Sequence, residues 1–211
     1  YNRANVKLIG THAGVAIGDD GHSQMGLEDV GLLRALPDFQ IFQPADDRET
    51  RAVIRYVVKN EGPCYIRLTR QKVPTIYSQP IEFIPGKWSE LHSGKSIALI
   101  ASGGVVGSSL QANEKLGKKY TVVNAASLKP IDTTLLQKLS ATHDWIVTVE
   151  DHYTVGGLGS AVAEFLASEG SKAKLRRFGV ETFGESGTPE DLLKHFQLDA
   201  EGVAARLSKI Q

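Results

Sequence analysis

Apolar positions recur along this chain in two rhythms, short continuous runs and stretches at helical spacing. Residues 6–9 form an apolar run that reads as a buried strand. A polar, glycine-rich stretch follows from Gly10 to Gln24, and then Leu27, Val30, Leu33 and Leu36 recur at helical spacing until Pro37. Residues 39–42 read as a short strand closed by Pro44. Asp46 and Glu49 make a capping-box-like start for a helix carrying Val53, Ile54, Val57 and Val58, which stops at Gly62-Pro63. Residues 64–69 alternate in strand fashion and end at Arg70-Gln71. Prolines at 74, 80 and 85 interrupt the pattern, which places a linker at 77–87 between units at 1–76 and 88–211.

The second unit repeats the alternation. Strand-like runs at 97–101, 120–124, 145–149 and 174–178 are separated by helical stretches near 105–116, 132–140 and 157–168. Thr188-Pro189-Glu190-Asp191 reads as a cap, a first-turn proline and an acid, opening the first of two final helices. Strands spaced by helices imply right-handed crossovers. The predicted fold is α/β, two units with mainly parallel sheets flanked by helices.

Composition narrows the function without naming it. With 211 residues, 41% of them hydrophobic, the chain can bury one large core or two smaller ones. Basic and acidic residues balance at 24 each, which argues against a nucleic-acid or polyanion binder. Cys64 stands alone in an apolar strand and reads as a buried, inert thiol, with no disulfide framework or thiolate metal site. No apolar run approaches the ~20 residues needed to span a bilayer, and no signal peptide opens the chain. No histidine pair has the spacing of a helical zinc site, so no metal ligands are assigned, and His92, His143 and His195 are expected at the surface. The chain starts at Tyr1 without methionine and reads as a piece of something longer.

The stretch from Gly10 to Gln24 carries the candidate chemistry. Parallel sheets place ligands at the carboxyl ends of their strands, where this loop begins. Gly14, Gly18 and Gly21 permit positive φ and close approach of a ligand. His12 and His22 can donate to sugar hydroxyls or phosphate oxygens, and Asp20 can accept from hydroxyls, so the loop suits a polyol phosphate as well as it suits a solvated turn. Arg70 ends another strand on the same edge, where a guanidinium can grip a phosphate or simply face solvent. Gly156-Gly157-Leu158-Gly159 favours close helix packing over a phosphate site, because no acid follows at dinucleotide spacing. The Glu150-Asp151-His152 cluster favours an interdomain or subunit contact.

The run Gly-Thr-His-Ala-Gly-Val-Ala-Ile-Gly-Asp-Asp-Gly-His-Ser-Gln-Met-Gly-Leu-Glu-Asp at 10–29, with Leu68-Thr69-Arg70-Gln71, resembles the pyrimidine-binding domain of transketolases. The stretch at 123–132, Val149 to Tyr153 with Gly156 to Gly159, and Phe183 to Gly187 resemble the transketolase C-terminal domain. The resemblance implies transfer of a two-carbon ketol unit between sugar phosphates, in a cytoplasmic, homodimeric enzyme of the pentose phosphate pathway that uses thiamine diphosphate and magnesium. It implies substrate contacts from His12, Asp20, Ser23 and Arg70, with His12 and Gln24 at the catalytic centre. Gln24 falls where many members have histidine and His22 where proline is common, which leaves the acid–base role at Gln24 open. The family's diphosphate-binding domain and its cofactor-activating glutamate have no counterpart in this sequence. The remaining domains are therefore expected in the same polypeptide or a separate subunit, and the isolated chain is expected to be inactive and to bind no cofactor tightly. A deoxyxylulose-phosphate synthase and a 2-oxo acid dehydrogenase beta subunit share both domains, and a non-catalytic assembly module is the reading from another class.

Overall fold

The computed structural model describes Asn2 and residues 4–210. Its first sheet is built from β1 (Lys7–Gly10), β2 (Gln40–Phe42) and β3 (Cys64–Arg67), with helices α1 (Asp29–Arg34) and α2 (Asp47–Lys59) in the crossovers. β3 lies in the middle, parallel to both neighbours, with Gly10 opposite Arg67 and Phe42 opposite Ile66. Helix α2 starts where the sequence places its cap: Asp46 accepts from Glu49 N at 2.8 Å, and the Glu49 carboxylate accepts from Ala45 N at 2.7 Å.

The second sheet follows with β4 (Ser89–His92), β5 (Ile97–Ala101), β6 (Thr121–Asn124), β8 (Trp145–Tyr153) and β9 (Lys174–Val180), in the order β4-β6-β5-β8-β9. The pairs β5–β6, β5–β8 and β8–β9 are parallel, and β4 is antiparallel at the edge. Helices α3 (Val105–Lys115), α4 (Thr133–Thr142), α5 (Leu158–Ser168), α6 (Pro189–His195) and α7 (Ala200–Leu207) cover it. Thr188 caps α6 through Asp191 N, as its sequence motif predicts. The architecture is two mainly parallel sheets flanked by helices, and no helix among the described residues is long and apolar enough to cross a membrane.

The structure alters several sequence expectations. The run at 6–9 is not a buried strand: among the described residues β1 is an edge strand that pairs only with β3, and Val6, Leu8 and Ile9 are about half exposed. Residues 127–129, which the pattern left unassigned, form β7 (Ser127–Lys129), which leaves the second unit and pairs antiparallel with β2 of the first sheet. The cores merge as well. Val15, Ile17, Met25 and Leu27 of the first unit pack with Leu99, Val147 and Val149 of the second. The proline-rich connector is not a loose tether, because Ile76 N and Tyr77 N both donate to Asp46 Oδ2 and Phe83 is buried. His92 and His143 are half-buried, hydrogen-bonded to Tyr120 O and Thr121 Oγ1, whereas His195 is exposed as expected. Cys64 is buried, and burial raises its thiol pKa.

Candidate functional site

β1 and β3 are parallel neighbours in register, so the residues just past their carboxyl ends share one edge of the sheet. His12 and Arg70 both lie there. The chain between His12 and α1 folds into two short 3-10 turns, Val15–Asp20 and His22–Gln24. Gly14, Gly18 and Gly21 have φ of 86°, 84° and 77°, the left-handed backbone that the glycine pattern anticipated. His12 is also left-handed at φ 64°, a conformation that costs a non-glycine residue of order 1 kcal/mol and that collects at functional sites.

Arg70 and Asp20 meet directly. Arg70 Nη1 lies 3.2 Å from Asp20 Oδ2 and donates to Ile17 O at 2.9 Å, so the strand-end guanidinium grips the loop at its tip. Both side chains are about half exposed, and Arg70 also lines a groove of about 300 Å³ with Asp19, Lys72 and Glu190. Ser23 and Gln24 are exposed in the second turn, and His12 shares a hydrogen bond with Thr11 Oγ1 at 2.8 Å. His22, the departure from proline, accepts from Gly184 N at 2.9 Å and lies edge-on to Phe183 at 4.9 Å. Ser186 Oγ donates to Asp19 O at 2.6 Å, so the Phe183-Gly184-Glu185-Ser186 segment of the second unit braces the loop's outer side.

Behind the loop lies a buried polar cluster. Arg67, 1% exposed, donates to Asp29 Oδ2 at 2.9 Å, Gly26 O at 2.5 Å and Asp151 O at 2.9 Å. Tyr65 OH donates to the same Asp29 oxygen at 2.6 Å. Burial alone would raise the Asp29 carboxyl, but Arg67 and the Tyr65 hydroxyl bring it below its ordinary value. Sequence reasoning missed Arg67, reading it as one position of an alternating strand. The available signal was a cation inside an apolar run, two residues after a tyrosine on the same face.

Of the Glu150-Asp151-His152 cluster, for which the sequence favours an interdomain or subunit contact, Asp151 and His152 reach Val15 and Gly31 of the first unit, whereas Glu150 bonds within the second. The cluster lies within β8, which continues to Tyr153 instead of stopping at 149. Glu150 accepts from Leu158 N and Gly159 N at 2.7 and 2.8 Å, occupying the start of α5. The glycines there serve close packing: a Cβ on Gly157 would overlap the Glu150 carboxylate, and one on Gly156 would meet Gly31 backbone. Burial raises Glu150 to about 7, against its two amide partners and the nearby guanidiniums of Arg67 and Arg177. His152 Nδ1 donates to Tyr153 O at 2.7 Å, leaving Nε2 to accept from Gly31 N at 3.4 Å. Burial followed by the Arg67 charge lowers His152 to about 4, against the backbone carbonyls of Tyr153 and Glu28 and the Asp29 carboxylate, and so favours an uncharged imidazole near neutral pH. Among the described residues no group of three or more His, Cys, Asp or Glu side chains is arranged to hold a metal ion.

Comparison with known proteins bears directly on this arrangement. Residues 1–75 match the family described as the transketolase pyrimidine binding domain, and residues 86–203 match the transketolase C-terminal domain. A candidate transketolase C-terminal section of Methanocaldococcus jannaschii is 40% identical, aligned over 98% of this chain and 66% of its own length. The 1-deoxy-D-xylulose-5-phosphate synthase of Thioalkalivibrio sulfidiphilus is 38% identical over 95% of this chain and 31% of its own. A solved split-gene transketolase, described as an inactive beta4 tetramer, superposes with a TM-score of 0.91 at 39% identity, covering 99% of this chain and 68% of that one. The chain thus spans from about a third to about two thirds of the proteins it matches. With both domain types present in order and the glycine loop closed over a strand-end arginine, the chain belongs to the transketolase family.

Proposed function

We propose that this chain forms the substrate-facing part of a thiamine diphosphate-dependent transketolase, with residues 1–76 from the pyrimidine-binding domain and 88–211 as the C-terminal domain. The observation that carries the reading is the meeting of Asp20 and Arg70 at the tip of a loop fixed at the carboxyl edge of a parallel sheet. Arg70 supplies a planar donor pair for the phosphate of the sugar, a contact remote from the reacting carbon. An incoming phosphate competes with Asp20 for this guanidinium, which frees the Asp20 carboxylate to accept from the hydroxyl beside the donor carbonyl. His12 and Ser23 donate to the sugar phosphate from the same edge. Gln24 hydrogen-bonds the reacting oxygen and, lacking a titratable proton, orients it without shuttling protons.

Thiamine diphosphate, when bound, supplies the carbon nucleophile that carries the two-carbon unit. None of its ligands is assigned to this chain, and in this reading magnesium and the diphosphate are held by the rest of the enzyme, on the same polypeptide or a separate subunit. The complete enzyme is a cytoplasmic homodimer, and the isolated chain is inactive. The inactive state described for the split-gene relative supports that last point. A second reading, deoxyxylulose-phosphate synthesis, draws support from the 38% identical synthase. Assay of the complete enzyme separates them. Ketol transfer between xylulose and ribose phosphates supports the proposal, and condensation of pyruvate with glyceraldehyde phosphate in its place overturns it.

A further inference from the structure

The loop that carries Asp20, Ser23 and Gln24 is closed at a neck, where Gly14 N donates to Gly26 O at 3.2 Å. Both sides of the neck are held by buried groups. On one side Asp151, from β8 of the second unit and 4% exposed, accepts from Val15 N at 2.8 Å and also from Ala16 N. These amides open the first 3-10 turn and have no partner within it, so the carboxylate satisfies donors that burial would otherwise orphan. Gly14 makes this approach possible: its φ is 86°, and a Cβ there would overlap the Asp151 carboxylate. On the other side Arg67 holds Gly26 O and the backbone carbonyl of Asp151 itself. The neck and the strand that pins it therefore share one guanidinium.

We propose that Asp151 is a positioning residue for the substrate loop, its buried carboxylate fixing the turn at 15–20 so that Asp20 and Arg70 meet at the tip. The proposal rests on the reading of that loop as the sugar phosphate site. Asp151 touches neither substrate nor cofactor. It acts through two backbone amides, and through it the second unit sets the geometry of a site whose side chains all come from the first. An unpinned neck lets the tip shift, and a misplacement near 1 Å in a substrate-positioning group costs on the order of a hundredfold in rate.

Two measurements test this. In the first, amide hydrogen exchange of the chain is compared with its Asp151→Asn and Gly14→Ala variants, which attack the same contact from opposite sides. Exchange of the amides at 15–24 is expected to rise at least tenfold while those of β5 and β8 keep their protection. Unchanged loop exchange overturns the proposal, and so does an equal rise across the second sheet, which would make Asp151 a general stabiliser. In the second, the complete enzyme carrying the same substitutions is expected to lose roughly ten- to a hundredfold in kcat/KM for phosphorylated donors and to discriminate less among donor hydroxyl stereoisomers. Asp151→Asn, which keeps one acceptor, is expected to lose less than Asp151→Ala, and the double variant with Gly14→Ala no more than the worse single. Loosened amides with unchanged kinetics overturn the assignment of the loop to substrate while leaving the pinning intact, so the two failures are distinguishable.

Discussion

Replacing Arg67 with methionine removes the cation that ties the first sheet to the end of the glycine-rich loop at Gly26 and to β8. The guanidinium makes three contacts from a 1% exposed position: the Asp29 carboxylate at 2.9 Å, Gly26 O at 2.5 Å and Asp151 O at 2.9 Å. Methionine fills a similar volume, so the loss is electrostatic and not a cavity effect. Breaking a buried ion pair from one side costs about 3–5 kcal/mol, because the remaining charge stays buried. For a domain of this size that lowers Tm by roughly 6–20 °C. The structure adds a pH signature. His152 Nε2 lies 3.8 Å from Asp29 Oδ1, and Arg67 contributes to keeping that imidazole neutral. Without Arg67 the histidine is freer to protonate beside the orphaned carboxylate, so the deficit is expected to shrink as pH falls from 7 toward 5. Urea unfolding of both proteins at several pH values measures this. A deficit below about 1 kcal/mol would refute the claim that Arg67 is a buried tie, and one that does not change with pH would refute the coupling to His152.

His152→Asn probes the histidine. Its folded pKa of about 4 lies below the ordinary 6.5, so between those values the unfolded chain binds a proton that the folded chain refuses. The stability this gives is complete above pH 6.5 and is lost as pH falls toward 4. Relative to the variant, the wild type is expected to lose on the order of 3 kcal/mol across that window. Glu150, raised to about 7, works in the opposite sense between 4.5 and 7, and because its Oε2 lies 3.8 Å from His152 Nδ1 the difference between the two proteins reports His152 together with its effect on Glu150. Parallel unfolding midpoints at pH 7 and 4.5 would contradict a buried neutral imidazole. Calorimetry of the chain with thiamine diphosphate and magnesium is expected to show no tight binding, and a micromolar Kd, ~8 kcal/mol, would move the cofactor ligands onto this chain.

What the sequence reveals follows the range of the forces involved. Caps and crossovers depend on a few neighbouring residues, and Asp46, Thr188 and the alternation of runs locate α2, α6 and the parallel strands well. β4 and β7 are legible only through partners far along the chain. Ser127 and Lys129 pair with Phe42 and Ile41 across more than eighty residues, and nothing in so short a polar segment announces a strand. The edge exposure of Leu8 and Ile9 escapes pattern reading for the same reason, since an apolar run does not say whether anything covers it. At the site, the glycine spacing and the carboxyl-edge position of His12 and Arg70 are visible in sequence. The role of His22 as an acceptor for Gly184, and of Asp151 as a clamp on Val15, arises from contacts between residues more than 130 positions apart.

In the proposed function Arg70 binds the phosphate of a sugar substrate in the complete enzyme. Arg70→Ala tests it through KM for phosphorylated and unphosphorylated substrates. A grip made about equally in ground and transition states appears in KM with kcat largely kept. A charge-assisted contact of ~1.5–3 kcal/mol predicts a rise of roughly ten- to a hundredfold for phosphorylated substrates, with little change for unphosphorylated ones. An equal loss for both classes would contradict the account and reduce Arg70 to a strand-end arginine that pairs with Asp20.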